Sequence, residues 1–319
     1  MHLSQANSSK LFVIVTILLA SLPAHATFPG QNGKIVFNAN GTGTWQMYTI
    51  NADGTGMAQI TNLPPTTLEG WEPTFSPDGK KIAFCHDMTG AAEIYTINAD
   101  GSGLTQLTFD NFFDCAPRWS PDGTRIAFAR ALPLTQQTVI ATMPSGGGAI
   151  TNLTNVFWSA FWPTYTPDGT KITSVSSQAG FIGVVRIMGS DGSHQKQLTR
   201  PDLEGFPADI SPDGSHILVI DHVSTPITPE AVFQMKLDGS GLTKLSDPGK
   251  GHYDIPGTYS PDGTKIVFVS NRRSKDVSLD LFIMNADGSD IHRIASGLTV
   301  GGCPDTNCVT PSWGPQAKQ

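Results

Sequence analysis

Short apolar runs alternate with polar turns along almost the whole chain, and the alternation has a long period. Residues 71–108 show one period in full. Trp71-Glu72-Pro73-Thr74-Phe75-Ser76 predicts a first strand, A, and Lys81-Ile82-Ala83-Phe84 a second, B. Glu93-Ile94-Tyr95-Thr96-Ile97 predicts a third, C, with side chains alternating between two faces, and Leu104-Thr105-Gln106-Leu107-Thr108 a fourth, D. Between A and B stands Ser76-Pro77-Asp78-Gly79. Proline fixes φ at about −65°, Asp can bond the local backbone, and Gly accepts a positive φ. Together they predict a hairpin closed by a type I turn and a bulge. Asn98-Ala99-Asp100-Gly101-Ser102-Gly103 predicts a second hairpin, of the Asp-Gly kind, between C and D.

The period repeats. The A–B turn returns at Ser120-Pro121-Asp122-Gly123, Thr166-Pro167-Asp168-Gly169, Ser211-Pro212-Asp213-Gly214 and Ser260-Pro261-Asp262-Gly263, at spacings of 44 to 49 residues. That spacing suits a four-stranded propeller blade. Five similar aspartates in five similar turns read as scaffold in preference to metal ligands. The two ends differ. Asn32-Gly33-Lys34-Ile35-Val36-Phe37 begins at strand B, and Pro311-Ser312-Trp313-Gly314-Pro315 is a spare strand A. Joined, they complete a first blade, close a ring of six and leave no exposed sheet edge at the seam. The expected fold is all-β: a six-bladed β-propeller with four-stranded blades, closed by the C-terminal strand.

The N-terminal pattern is of another kind. After Lys10 comes the apolar run 11–20, and Ala24-His25-Ala26 offers small residues where a signal peptidase cuts. We read residues 1–26 as a signal peptide and residues 27–319 as a single propeller domain. No later run is long and apolar enough to span a membrane. The net charge of −7 becomes −8 when residues 1–26 leave with one Lys and no acid, which argues against a nucleic-acid partner. An exported chain is periplasmic or secreted, and its four cysteines, Cys85, Cys115, Cys303 and Cys308, are expected in disulfides. Cys85 and Cys115 fall on one face of neighbouring blades, so a Cys85–Cys115 bridge is feasible, with Cys303–Cys308 pinning the loop before the closing strand. A swapped pairing is the alternative.

The repeated Pro-x-[Trp/Phe]-Ser-Pro-Asp-Gly-x-x-Ile-Ala-Phe, Ile-Tyr-x-x-Asn-Ala-Asp-Gly-Ser-Gly and Leu-Thr-x-Leu-Thr runs resemble the TolB-like propeller repeat, also called the WD40-like PD40 repeat. The resemblance covers nearly all of residues 27–319, in five full copies and one split copy. It implies the propeller fold and says little of activity, since such repeats occur in periplasmic translocation proteins, prolyl peptidases and polysaccharide lyases. TolB proteins carry an α/β domain before the propeller, and here the repeats begin just after the expected cleavage site. No Gly-x-Ser-x-Gly nucleophile elbow accompanies the repeats.

In such a blade the A–B and C–D turns share one face, and the B–C and D–A loops share the other. The first set is short and repetitive; the second is long, varied, and mixes aromatics with carboxylates. Candidate partner- or ligand-binding residues on it are Glu72, His86, Asp87, Phe112, Phe113, Asp114, Trp158, Trp162, His222, His252, Asp254 and Arg272. Rings suit stacking and acids suit hydrogen bonding to a sugar or peptide. The competing reading, that rings beside strand A pack between blades, is preferred for Phe75, Trp119 and Trp313. Cys85-His86-Asp87, Asp221-His222 and Asn271-Arg272-Arg273 end B strands and should emerge near the channel rim. Convergence of His86, His222 and His252 would support metal-assisted chemistry; otherwise they start solvated loops. The sequence therefore predicts a monomeric, non-enzymatic binding module for an envelope or extracellular protein, peptide or glycan, with no catalytic residues, metal or cofactor. The alternative is a carbohydrate lyase or hydrolase with its site at the channel mouth.

Overall fold

The computed structural model describes residues 29–40, 44–65, 72–110, 112–133, 137–155, 157, 159–177, 183–199, 205–221, 231–273, 279–297 and 311–317. The side chains of 205–207, 220 and 221 are outside that description. So are the expected signal peptide, Trp158, His222, Cys303 and Cys308.

The strands follow the predicted order. They are β1 (Asn32–Ala39), β2 (Gln46–Ile50) and β3 (Ala58–Gln59); then β4 (Thr74–Phe75), β5 (Lys81–His86), β6 (Glu93–Asn98) and β7 (Thr105–Gln106). The third group is β8 (Phe113–Trp119), β9 (Arg125–Leu132), β10 (Gln137–Pro144) and β11 (Thr151–Asn152). The fourth is β12 (Ser159–Tyr165), β13 (Lys171–Ser177), β14 (Val184–Gly189) and β15 (Lys196–Gln197). The fifth is β16 (Gly205–Ile210), β17 (His216–Asp221), β18 (Val232–Lys236) and β19 (Thr243–Lys244). The last is β20 (Asp254–Tyr259), β21 (Lys265–Ser270), β22 (Asp280–Asn285) and β23 (His292–Ala295), with β24 (Ser312–Pro315) at the end. Each group forms one four-stranded antiparallel sheet, and β24 joins β1, β2 and β3 to make the first. The six A strands, β24, β4, β8, β12, β16 and β20, contact one another in a closed circuit. This is the six-bladed propeller that the repeat predicts. At the seam, Ile35 pairs with Trp313 and Val36 with Ser312.

The turn chemistry explains why this sequence makes these hairpins. In the A–B turn, Gly79 N–H donates to the Ser76 carbonyl, and Gly79 sits at φ 69°. Asp78 Oδ1 accepts from the Ser76 hydroxyl at 2.6 Å and from Lys80 N–H at 3.1 Å. Asp122, Asp168, Asp213 and Asp262 repeat this bonding. These aspartates serve their own turns, as the repetition suggests. The final Thr or Ser of the D run has a structural role of its own. Its hydroxyl accepts a strand-C amide: Met47 on Thr61, Ile94 on Thr108, Ile140 on Thr154, Val185 on Thr199 and Val232 on Ser246.

The core is divided between the blade interfaces. Six buried apolar clusters each join residues of two neighbouring blades. Phe75, Trp119 and Trp313 are buried members of these clusters, as preferred from the sequence. Trp119 Nε1 donates to the Thr74 carbonyl of the previous blade at 3.3 Å, and Trp313 Nε1 donates to Gly33 O at 3.1 Å. Each ring therefore fills an interface and spends its one polar hydrogen there. The Cys85–Cys115 disulfide links β5 to β8 across the second interface.

Candidate functional site: the axial ring and the long-loop face

The A strands line the propeller axis, and most of them carry an irregularity. Register shifts interrupt the A–B pairing between Cys115 and Arg118, Phe161 and Thr164, Pro207 and Asp209, and Pro256 and Tyr259. At equivalent positions before a proline, Glu72, Ala116 and Trp162 take φ of 45°, 56° and 49°. Side chains with a Cβ seldom adopt such angles, and strain of this kind collects at functional sites. Here it lets two distant blades meet: Trp162 Nε1 donates to Glu72 Oε1 at 2.7 Å. Both residues were singled out in the sequence.

One residue after the bulge, each blade turns a polar side chain toward the axis: Thr74, Arg118, Thr164, Asp209, Thr258 and Ser312. These six line one enclosed cavity, with room for a water-sized group in about 20 Å³. Asp209 Oδ2 accepts from Tyr259 N–H at 2.8 Å. Burial nevertheless raises its carboxyl to about 7, against the pull of those amide bonds and of Arg118. Burial also raises Glu72, opposed by Arg118 and the Trp162 bond, and lowers Arg118, opposed by Glu72 and Asp209. Among the described residues, Arg118 makes no ion pair with either acid, and its one side-chain bond is Nη1 to the Pro117 carbonyl at 2.9 Å. Glu72 Oε2 and Thr164 Oγ1 are buried without partners. The ring thus holds unspent donors and acceptors around a small polar space. At 4 Å and an effective dielectric of 20, like charges repel by about 4 kcal/mol. A cation there meets Arg118 and an anion meets Asp209, so a neutral group with both donor and acceptor suits the cavity best.

A second group lies on the long-loop face at the seam of the second and third blades, beside the disulfide. His86, at the end of β5, pairs across the sheet with Glu93 and lies 3.5 Å by Nδ1 from Asp87 Oδ1. It is fully buried, not the start of a solvated loop, and burial lowers its pKa against the field of Asp87. Asp114 is also fully buried, and burial raises its carboxyl to about 7 against the attraction of Arg130. Arg130 pairs with Asp110 and, at 3.3 Å, with Asp114, while the Phe112 ring covers its guanidinium at 4.4 Å. The Thr108 hydroxyl donates to Glu93. Among the described residues, Glu93, Asp110 and Asp114 form the one acidic group close enough to share a metal ion. Arg130 already supplies the cation to two of them.

The third group is in the sixth blade. Arg272 pairs with Asp254 and lies over Phe268 and Phe282 at 5.4 and 5.5 Å. His252 Nδ1 is 3.1 Å from Asn271 O. His86 and His252 therefore stand in separate clusters, in the second and sixth blades; His222 lies outside the described residues.

Exposure separates the two faces further. Met57, Leu104 and Leu242 are exposed at one repeated position after the C–D turn. Phe109, Phe113 and Phe157 are exposed by 71%, 45% and 74%, and they follow no repeat. Phe109 and Phe113 belong to the β7-to-β8 segment, with Phe113 opening β8 between the candidates Phe112 and Asp114, and Phe157 stands on the next D–A connection, between β11 and β12. The larger open concavities, of about 830 and 680 Å³, are on the opposite face and are lined by the repeated turns. They are the clefts left between neighbouring hairpins.

The PD40 family model, the TolB beta propeller domain, matches residues 19–130 and 112–316. The chain belongs to this family. Its fold is similar to TolB from Acinetobacter baumannii, at 21% identity and a TM-score of 0.72, over 91% of this chain and 68% of that one. A protein assigned as a TolB from Agrobacterium tumefaciens is similar at 21% identity and a TM-score of 0.64, over 82% and 88% of the two chains. So is an oligogalacturonate lyase in complex with manganese, at 13% identity and a TM-score of 0.57, over 85% and 77%. No curated protein matches the sequence. Likenesses at these identities show the TolB-like propeller fold. Among the described residues, no helix is long and apolar enough to cross a membrane.

Sequence reasoning missed Arg118, Asp209 and Thr164, and also Arg130, Phe109 and Phe157. The axial ring had a readable signal. The residue before the strand-A ring position is Thr, Arg, Thr, Asp, Thr or Ser in all six blades. A strand covered on both sides should carry apolar residues there, so a polar residue in every copy marks an inner channel.

Proposed function

We propose that this chain is an exported, monomeric, non-enzymatic TolB-like propeller that binds a protein, peptide or glycan partner on its long-loop face. One observation carries the reading: Phe109 and Phe113 at the β7–β8 connection and Phe157 at the β11–β12 connection are exposed on that face without following the repeat. Exposed rings beside hydrogen-bonding acids are what a partner-binding surface requires. The apolar run before Ala24-His25-Ala26 and the Cys85–Cys115 disulfide support export to an oxidising compartment. The test is binding to glycan and peptide arrays by the wild type, by a Phe109→Ser/Phe157→Ser variant and by a Leu104→Ser/Leu242→Ser control. The first variant should lose tenfold or more in affinity, about 1.4 kcal/mol, while the control keeps it. Equal losses in both would sink the reading.

One observation favours the alternative, a carbohydrate lyase or hydrolase at the channel mouth. Asp209, held near 7 beside Arg118 and Glu72, has the proton affinity of a general acid or base at neutral pH. Release of unsaturated or reducing ends from oligosaccharides, abolished by Asp209→Asn, would establish it.

A further inference from the structure

The axial cavity is lined by one polar side chain from each blade, and most of them are hydrogen-bond donors. Arg118 brings a guanidinium whose one bond, among the described residues, goes to the Pro117 carbonyl. Thr164 is 2% exposed, and its Oγ1 is buried without a partner. Thr258 Oγ1 accepts from Trp313 N–H at 2.7 Å, so its own hydrogen remains to donate. Thr74 and Ser312 add two further hydroxyls. Among the described residues, Asp209 is the one carboxyl of the lining. The other titratable side chains there, Tyr165 and Tyr259, are raised by burial and stay neutral. Strands β24, β4, β12 and β20 therefore bring hydroxyls and rings to the cavity, and its two charges come from β8 and β16. Glu72 lies outside the lining; its field reaches Arg118, and burial keeps it protonated to higher pH than an ordinary acid.

While Asp209 is ionised its charge offsets Arg118, and a neutral occupant is favoured. Burial raises that carboxyl to about 7, within reach of a modest change in pH. With a proton in place, the lining carries one charge, the Arg118 guanidinium, inside a ring of hydroxyl donors. Such a set suits an anion and repels a cation. The space, about 20 Å³, admits one water-sized group, which excludes phosphate, sulfate and carboxylates and leaves a monatomic ion. We infer that the axial ring is a site for one halide ion, chloride as the common member, held by Arg118 and the hydroxyls of Thr164 and Thr258, and that the ion enters together with a proton onto Asp209. This site is separate from the long-loop face and stands whether or not that face binds a partner.

The test is the thermal midpoint in sodium chloride against sodium gluconate at equal ionic strength, at about pH 6 and about pH 8. Gluconate is too large for the cavity. A ligand that binds the folded state raises the midpoint, and a requirement for protonated Asp209 makes chloride bind about tenfold more weakly at the higher pH. The wild type should therefore gain more from chloride at the lower pH. Asp209→Asn should gain equally at both, Thr164→Val less than the wild type, and Arg118→Met nothing. A crystal soaked in sodium bromide should show an anomalous peak on the axis between Arg118 and Thr164. No gain from chloride at the lower pH, an equal gain in Arg118→Met, or an empty axis in the bromide crystal overturns the inference. A gain that keeps its pH dependence in Asp209→Asn overturns the coupling to a proton. If Arg118→Met fails to fold, Thr164→Val and the bromide peak decide.

Discussion

At Gly101, one hydrogen in place of a side chain decides how closely two blades approach. The residue takes φ 88°, and a Cβ there would lie 2.4 Å from the Ile60 carbonyl of the preceding blade. Gly101→Ala should therefore cost about 1–3 kcal/mol from the backbone angle alone, with a further cost from the contact. Urea unfolding measures it, and the exposed substitution Ser102→Ala at the next residue, which removes the hydroxyl's bonds to Asn98 and Asp100, should cost less. The charged residues divide into two sets with opposite pH behaviour. The Ser76 hydroxyl and Lys80 amide outweigh burial and hold Asp78 below its usual value. In the C–D turns, the Ser102 hydroxyl and amide lower Asp100. Lowered acids add stability above about pH 4 that is lost as the pH falls further. Asp114 and Asp209, raised by burial to about 7, do the reverse: their ionisation costs the fold stability as pH rises from about 4 toward 7. Glu72, raised, acts with them, and His86, lowered, opposes them below about 6.5. Three acids against one histidine give a thermal midpoint that falls from about pH 5 to about pH 7. Asp114→Asn with Asp209→Asn should flatten that fall; an unchanged slope would refute the assignment.

Strands show what the repeat made legible and what it concealed. The A–B and C–D turns were readable because their Pro, Asp and Gly have local reasons to be there. The D strands are only two residues long in five blades, shorter than the apolar runs that predicted them, since the edge pairs with one neighbour only. The A strands concealed most. Their bulges depend on contacts between blades, and no residue within one blade announces that Trp162 will meet Glu72. The closing strand was legible from the mismatch of the two ends. Trp313 sits at that seam, buried among Ile35, Ile255 and Val267. Trp313→Ala should cost about 3–5 kcal/mol, as for a core ring, by opening the seam between the sixth and first blades. Replacing Cys85 and Cys115 by alanine should cost about 2–4 kcal/mol in the oxidised protein and nothing once the wild type is reduced. Both are read from denaturant midpoints.

The whole ring assigns different work to its two faces and its axis. One face is made of turns that bond to themselves, which is why the loudest motif in the chain, Ser-Pro-Asp-Gly, marks scaffold. The other face carries the irregular loops, with Phe109, Phe113 and Phe157 exposed and His86, Asp114 and Arg130 held beneath them. The candidate residues read from the sequence divide among the axis, the second and third blades, and the sixth blade. Sequence order could place them on a face but not in a cluster, because neighbours around the ring are separated by a whole blade of chain. The most direct measurement is hydrogen–deuterium exchange with and without the tightest-binding array ligand. Protection should appear in residues 109–114 and 157–162 and be missing from the turns at 77–80 and 121–124. Protection confined to those turns would contradict the assignment of binding to the long-loop face.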